Sequence, residues 1–278
     1  LLVDRNINFT KRFKMNYQLY PALNESQEYV VFSSGLGGHG QFWQPQIAAF
    51  QQTYHVLIYD HEGCHADSRL LPESYSFGDL AEQIKNLLLQ LNIHRFHFIG
   101  HAIGGFIGIE LMQLLDASEL DMQSLTVING WADLDPHTLK CFQTRLALLE
   151  HAGIAAYVAA QALFLYPPSW ISQYYLDIEQ QEQKQQRDFP PIQNVIRRIA
   201  ALMHFQITPE HLAKLAQRPV LLIANQDDML VPYHQSLKFW KLVPQAHLYL
   251  MAEGGHASTV TQTPLINHQI LKFLHQSR

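Results

Sequence analysis

A histidine can move a proton reliably when a carboxylate holds its ring in one tautomer, and the last quarter of this chain offers such a pair. Gln226-Asp227-Asp228-Met229-Leu230-Val231-Pro232 follows the apolar run 219–224, and Glu253-Gly254-Gly255-His256 follows the apolar run 247–251. Asp228 is the candidate orienting acid, with Asp227 as its neighbour. His256 is the candidate base, and the two glycines before it let the backbone present the ring. Upstream, Phe96-His97-Phe98-Ile99-Gly100-His101-Ala102-Ile103-Gly104-Gly105 reads as a strand, a glycine-framed sharp turn and a helix. That is the layout G-x-S-x-G, in which a serine nucleophile stands on a strained turn. Here Ala102 holds the serine's place, so the nucleophile position is vacant. Two backbone donors would complete an anion site. Leu36 N–H lies in the loop after the first clear strand, and Ile103 N–H opens a helix, where free N–H groups and the helix dipole favour negative charge.

The elements needed to position these groups are legible in order. Strands are expected at 29–32, 55–60, 96–100, 125–130, 219–224 and 247–251. Helices are expected near 42–50, at 80–91 with apolar spacing Leu80, Ile84, Leu87, Leu88 and Leu91, from the elbow to about 115, near 234–242, and at the C-terminus through Ile266, Ile270, Phe273 and Leu274. The alternation predicts an α/β fold with a mostly parallel central sheet and helices on both faces. It breaks between Trp131 and Gln217, where no strand pattern occurs and Phe142, Leu146 and Leu149 have helical spacing. Residues 15–130 and 218–278 are therefore read as the core and 131–217 as an inserted helical cap. The Gln-rich run 180–187 is either a mobile loop or an exposed helix face. Met15 offers a start within Met-Asn-Tyr-Gln-Leu, so residues 1–14 are expected to be an upstream extension.

Composition narrows the function classes. Of 278 residues 47% are hydrophobic and 15% charged, and the formal net charge of -5 argues against a nucleic-acid footprint. Two cysteines, Cys64 and Cys141, cannot build a disulfide framework, and a reduced cytoplasmic setting is the simpler expectation. No apolar run of about 18 residues is present to span a membrane. The small-molecule substrate is the expected partner, without nucleic acid or membrane; a homodimer stays open.

Two further patterns compete for attention. Gly35-x-Gly37-x-x-Gly40 follows a strand and Asp60 closes the next one, as in a dinucleotide fingerprint. Phe42, Trp43 and Pro45 are bulky where a pyrophosphate needs close approach, and no second phosphate-binding half is visible, so no cofactor is expected. His61-Glu62-Gly63-Cys64-His65 matches H-E-x-x-H, but zinc binding by that motif requires a helix, and this stretch reads as a loop. No metal is expected from it.

The vacant elbow admits three explanations: an engineered Ser-to-Ala change, a non-catalytic binding relative, or chemistry without a covalent intermediate. At this point the chain resembles the RutD-type hydrolases of the α/β-hydrolase superfamily. The resemblance rests on Phe32-Ser33-Ser34-Gly35-Leu36-Gly37-Gly38 with Trp43, Gly100-His101-Ala102-Ile103-Gly104, Asn129-Gly130-Trp131, Leu165-Tyr166-Pro167, Asp227-Asp228-Met229-Leu230-Val231-Pro232 and Gly255-His256-Ala257. It spans about Tyr29 to Leu274 and is loosest at 61–69. That family also carries alanine at the elbow. The resemblance implies an α/β-hydrolase fold and a hydrolase of carbamate or aminoacrylate in the Rut route of pyrimidine degradation. On this reading His256 and Asp228 are the working pair and Leu36 and Ile103 the anion donors; Trp131 and Arg145 or Arg197 are candidate pocket residues, although helical arginines are more often surface charges. A non-catalytic metabolite- or partner-binding protein is the alternative.

Overall fold

Runs of β-branched and aromatic residues build seven strands in the computed structural model, which describes residues 15–277; the expected extension over 1–14 lies outside them. The strands are β1 (Tyr17–Tyr20), β2 (Tyr29–Ser33), β3 (His55–Tyr59), β4 (Arg95–His101), β5 (Asp121–Ile128), β6 (Val220–Asn225) and β7 (His247–Met251). They form one sheet in the order β1-β3-β2-β4-β5-β6-β7. Only β1 runs antiparallel, against β3; the other pairings are parallel.

The helices are α1 (Gln44–Phe50), α2 (Phe77–Gln90), α3 (Ile103–Leu114), α4 (Pro136–His151), α5 (Gly153–Leu165), α6 (Pro168–Gln173), α7 (Tyr175–Arg187), α8 (Ile192–His204), α9 (Pro209–Leu215), α10 (Tyr233–Leu242), α11 (Ser258–Thr261) and α12 (Thr263–Gln276). Helix α2 begins earlier than its apolar spacing suggests because Ser76 and Asp79 form a reciprocal capping box. The period-2 alternation of the strands feeds two cores. On β2, Val31 faces a cluster with Leu80, Ile84 and Phe106, while Val30 and Phe32 face Trp43, Phe50, Ile266 and Ile270. Both faces are thus covered, as a parallel sheet requires.

Helices α4 to α9 all lie between β5 and β6 in the chain. Phe205, just after α8, stacks on Phe106 of α3 at 4.5 Å between ring centroids, and α9 packs on α3. The Gln-rich run is helical: it forms α7, whose single buried residue is Ile178, so it is the exposed face and not the loop. Among the described residues no helix is long and apolar enough to cross a membrane.

The elbow joins β4 to α3. Ala102 has φ 48 and ψ -116, a conformation that L-residues avoid. Its two framing glycines are sterically required. A Cβ on Gly100 would lie 2.2 Å from the backbone of Gly104, and one on Gly104 would lie 2.1 Å from Ser33 O. The turn is therefore fixed by backbone approach and keeps its strained shape without a serine.

Candidate active site

The imidazole of His256 meets Asp228 in the loops that follow β7 and β6. His256 Nδ1 lies 2.8 Å from Asp228 Oδ2, and both residues are buried. The other carboxylate oxygen, Oδ1, accepts the Leu230 and Val231 N–H groups at 2.8 Å each. The carboxylate is held from both sides, and Nδ1 of the ring carries its hydrogen toward it, which leaves Nε2 as the basic nitrogen. Asp227 does something else. Its two oxygens accept the Gly254 and Gly255 N–H groups at 3.0 and 2.9 Å and so shape the loop that presents His256.

A polar network missed by the sequence reading holds the backbone of His256. Its carbonyl accepts His101 Nε2 at 2.8 Å and Asn129 Nδ2 at 2.7 Å. Asn225 Nδ2 in turn lies 2.9 Å from both Asn129 Oδ1 and Ser258 Oγ. Asn129 directly follows β5 and Asn225 ends β6, and Asn129 sits at φ 55, where asparagine is among the better tolerated residues. A polar residue closing an apolar strand was the available signal. The far edge of the loop meets the end of α5: Ala257 N–H donates to Leu165 O at 2.9 Å, and a Cβ on Gly255 (φ +65) would lie 2.8 Å from that same oxygen and 2.9 Å from Pro167 Cδ.

His101 must carry its hydrogen on Nε2 to meet a carbonyl, so its buried Nδ1 is bare. Burial, and then the neighbouring His256, push its pKa down to about 3. In the unfolded chain the ring titrates near 6.5. Between these values only the unfolded state binds the proton, so this stability is present above about pH 6.5 and is lost as pH falls toward 3. The stability advantage of the wild type over His101→Gln is expected to shrink across that window in urea denaturation. A gap that stays constant with pH would refute it.

The two backbone donors come from neighbouring strands in matched register. Ser33 of β2 pairs with Gly100 of β4, and Leu36 and Ile103 each follow three residues later in the chain. Ile103 is the first residue of α3, and Leu36 N–H has no acceptor among the described residues. Two donors without intramolecular partners are free to hold an anion.

The pocket candidates separate. Trp131 is buried against Phe106 at 4.6 Å, with its indole N–H unpaired. Arg145 lies on α4, donating to Tyr157 Oη at 3.0 Å with its guanidinium over the rings of Phe142 and Phe164. Arg197 donates to Leu71 O and faces Glu73 at 3.9 Å. Its neighbour Arg198 is the one turned inward. It is 3% exposed, donates to His61 Nδ1 at 3.0 Å, and lies where a side chain on Gly38 would run into its guanidinium. No carboxylate pairs with Arg198 among the described residues, and its Nε–H is buried without a partner.

The competing motifs are used structurally. Asp60 accepts Gly40 N–H at 2.8 Å and so is committed within the glycine-rich turn, where Trp43 is fully buried. His61-Glu62-Gly63-Cys64-His65 is loop, and its two histidines point to different partners: His61 to Ser33 and Arg198, His65 to Asp60.

Comparison with known proteins agrees with this architecture. Residues 28–262 match the alpha/beta hydrolase fold family. A protein of Acinetobacter baylyi named "Putative carbamate hydrolase RutD" is 60% identical over 263 residues, which are 95% of this chain and 99% of that protein. A protein of the same name from Stutzerimonas stutzeri is 42% identical over 260 residues, 94% of this chain and 96% of that protein. Among solved structures, the enol-lactonase of Burkholderia xenovorans has a TM-score of 0.80 at 19% identity, covering 94% of this chain and 96% of that one. That last likeness is one of fold alone.

Proposed function

This chain belongs to the α/β-hydrolase family and, within it, to the RutD family, and on that footing we propose that it hydrolyses a small anionic C–N compound, carbamate or 3-aminoacrylate, in the Rut route of pyrimidine nitrogen breakdown. The observation that carries the reading is the buried His256–Asp228 contact of 2.8 Å held against an elbow whose central residue is alanine. A binding module has no need of an imidazole fixed by a carboxylate, whereas proton transfer does.

The carboxylate of the substrate is proposed to lie at the Leu36 and Ile103 N–H groups, with the buried Arg198 guanidinium supplying the balancing charge. With 3-aminoacrylate, a proton delivered to C2 converts the enamine to an iminium. Water then adds at C3 as the base takes its proton, and transfer of a proton to nitrogen releases ammonia and leaves the aldehyde. With carbamate, protonation of nitrogen breaks the C–N bond and gives ammonia and carbon dioxide. Neither route passes through an acyl-enzyme. His256, oriented by Asp228, carries the proton in both, and the small Ala102 side chain leaves room where a hydroxyl would compete for the substrate.

The test is ammonia release from each substrate, against enzyme-free controls because carbamate decays spontaneously. Acceleration of at least one substrate is expected; no acceleration of either defeats the reading. Restoring the hydroxyl with Ala102→Ser is expected not to raise turnover, since a carbamoyl-serine would be a slow ester to clear. A clear gain would sink the serine-free chemistry.

A further inference from the structure

The loop that fails as a helical zinc motif assembles a different set of donors. His39, from the turn after β2, and Cys64 and His65, from the loop after β3, place one ligand atom each within 4.8 Å of one another. His39 Nδ1 is 3.8 Å from Cys64 Sγ, and the rings of His39 and His65 stand at 77° with centroids 5.0 Å apart. We propose that His39, Cys64 and His65 bind a divalent ion of the zinc class, beside the Arg198 guanidinium that hydrogen-bonds Cys64.

The argument is geometric. Zinc takes Cys sulfur at about 2.3 Å and His nitrogen at about 2.0–2.1 Å in a tetrahedron, which sets the N···S separation near 3.6 Å and N···N near 3.3 Å. The His39–Cys64 pair already has that spacing to within a few tenths of an ångström. Cys64 is buried, while His39 and His65 are half-buried, so the fixed member of the set is the thiol and the two rings can turn to close on it. The outer partner is present as well. Asp60 Oδ2 lies 2.8 Å from His65 Nε2, and Asp60 Oδ1 is anchored at 2.8 Å by Gly40 N–H. A carboxylate that accepts from a ligating histidine orients the ring and adds negative charge behind it. Thiolate and imidazole donors together select zinc, cobalt or copper over magnesium or calcium. Three protein ligands leave a fourth position open to solvent or an exogenous ligand. On binding, the Cys64 proton passes to solvent. The ion would tie the 35–40 turn, which contains the Leu36 donor, to the 61–68 loop.

The test is a titration of reduced, metal-free protein with Co²⁺, followed by displacement with Zn²⁺. Stoichiometric binding is expected, with a near-ultraviolet thiolate-to-cobalt band and the visible bands of four-coordinate cobalt, both removed by zinc. Cys64→Ser is expected to abolish the thiolate band, Cys141→Ser to keep it, and His65→Ala to weaken binding at least tenfold. A folded wild type that gives no thiolate band overturns the proposal, as does a band that survives in Cys64→Ser. If Cys64→Ser does not fold by circular dichroism, the half-buried His39 and His65 decide: wild-type cobalt affinity in both His39→Ala and His65→Ala overturns it.

Discussion

Replacing His256 with alanine is expected to lower the enzyme-catalysed rate of ammonia release by about 10²–10⁴-fold, the range for loss of a positioned proton carrier. His256 is fixed from three directions, one through its ring and two through the backbone. Asp228 holds Nδ1, the His101 and Asn129 side chains hold the backbone carbonyl, and Asp227 shapes the preceding turn. Asp228→Asn should cost a large part of the same factor, since an amide can present its N–H to Nδ1 and favour the wrong tautomer. Both variants keep the bulk of the core, so circular dichroism should match the wild type. The measurement is the initial rate over the enzyme-free rate. A His256→Ala enzyme that keeps the wild-type rate would remove the dyad from the mechanism.

Arg198→Met is expected to raise KM by about tenfold to a hundredfold while leaving the fold as stable as before or more so. A buried ion without a carboxylate counter-charge is a standing cost of several kcal/mol, and an apolar side chain of similar length removes it. A substrate carboxylate would instead satisfy it through charge-assisted hydrogen bonds. The two readouts therefore move in opposite senses, which a purely structural arginine would not produce. Inhibition by acrylate, a stable carboxylate of the same carbon length as aminoacrylate, provides the check: its inhibition constant should rise in parallel with KM. Lower unfolding stability together with an unchanged acrylate constant would refute the assignment.

Arg198 also marks a limit of reading the chain alone. The sequence singled out Arg145 and Arg197 as pocket candidates. The buried stripe of α8 comprises Asn194, Val195, Arg198, Ile199 and Leu202, so Arg198 stands where a helical period places a core residue. That period was present in the letters; what it lacked was a reason to trust a charge on the apolar face. The parallel strands were easy to read because burial on both faces gives continuous apolar runs. The elbow was easier still, because its glycines stand where no Cβ fits. Strand β1 escaped notice: its four residues are mostly exposed and are held at the sheet edge by pairing with β3, so no burial pattern announces them. The amide network of Asn129 and Asn225 escaped for another reason. Its members are far apart in sequence and meet only after β5 and β6 align.

The contact between Ala257 N–H and Leu165 O, with Pro167 closed over Gly255, has a consequence for timing. Leu165 ends α5, and Ala257 follows His256, the proposed proton carrier. Under the proposed mechanism, opening at this edge would break the bond that steadies the His256 loop, so admission of substrate and disarming of the base would be one motion. Each turnover would then run as a cycle in which the site is either accessible or competent. An iminium formed inside would meet only the water enclosed with it, and ammonia would depart through a doorway whose opening has already switched the chemistry off.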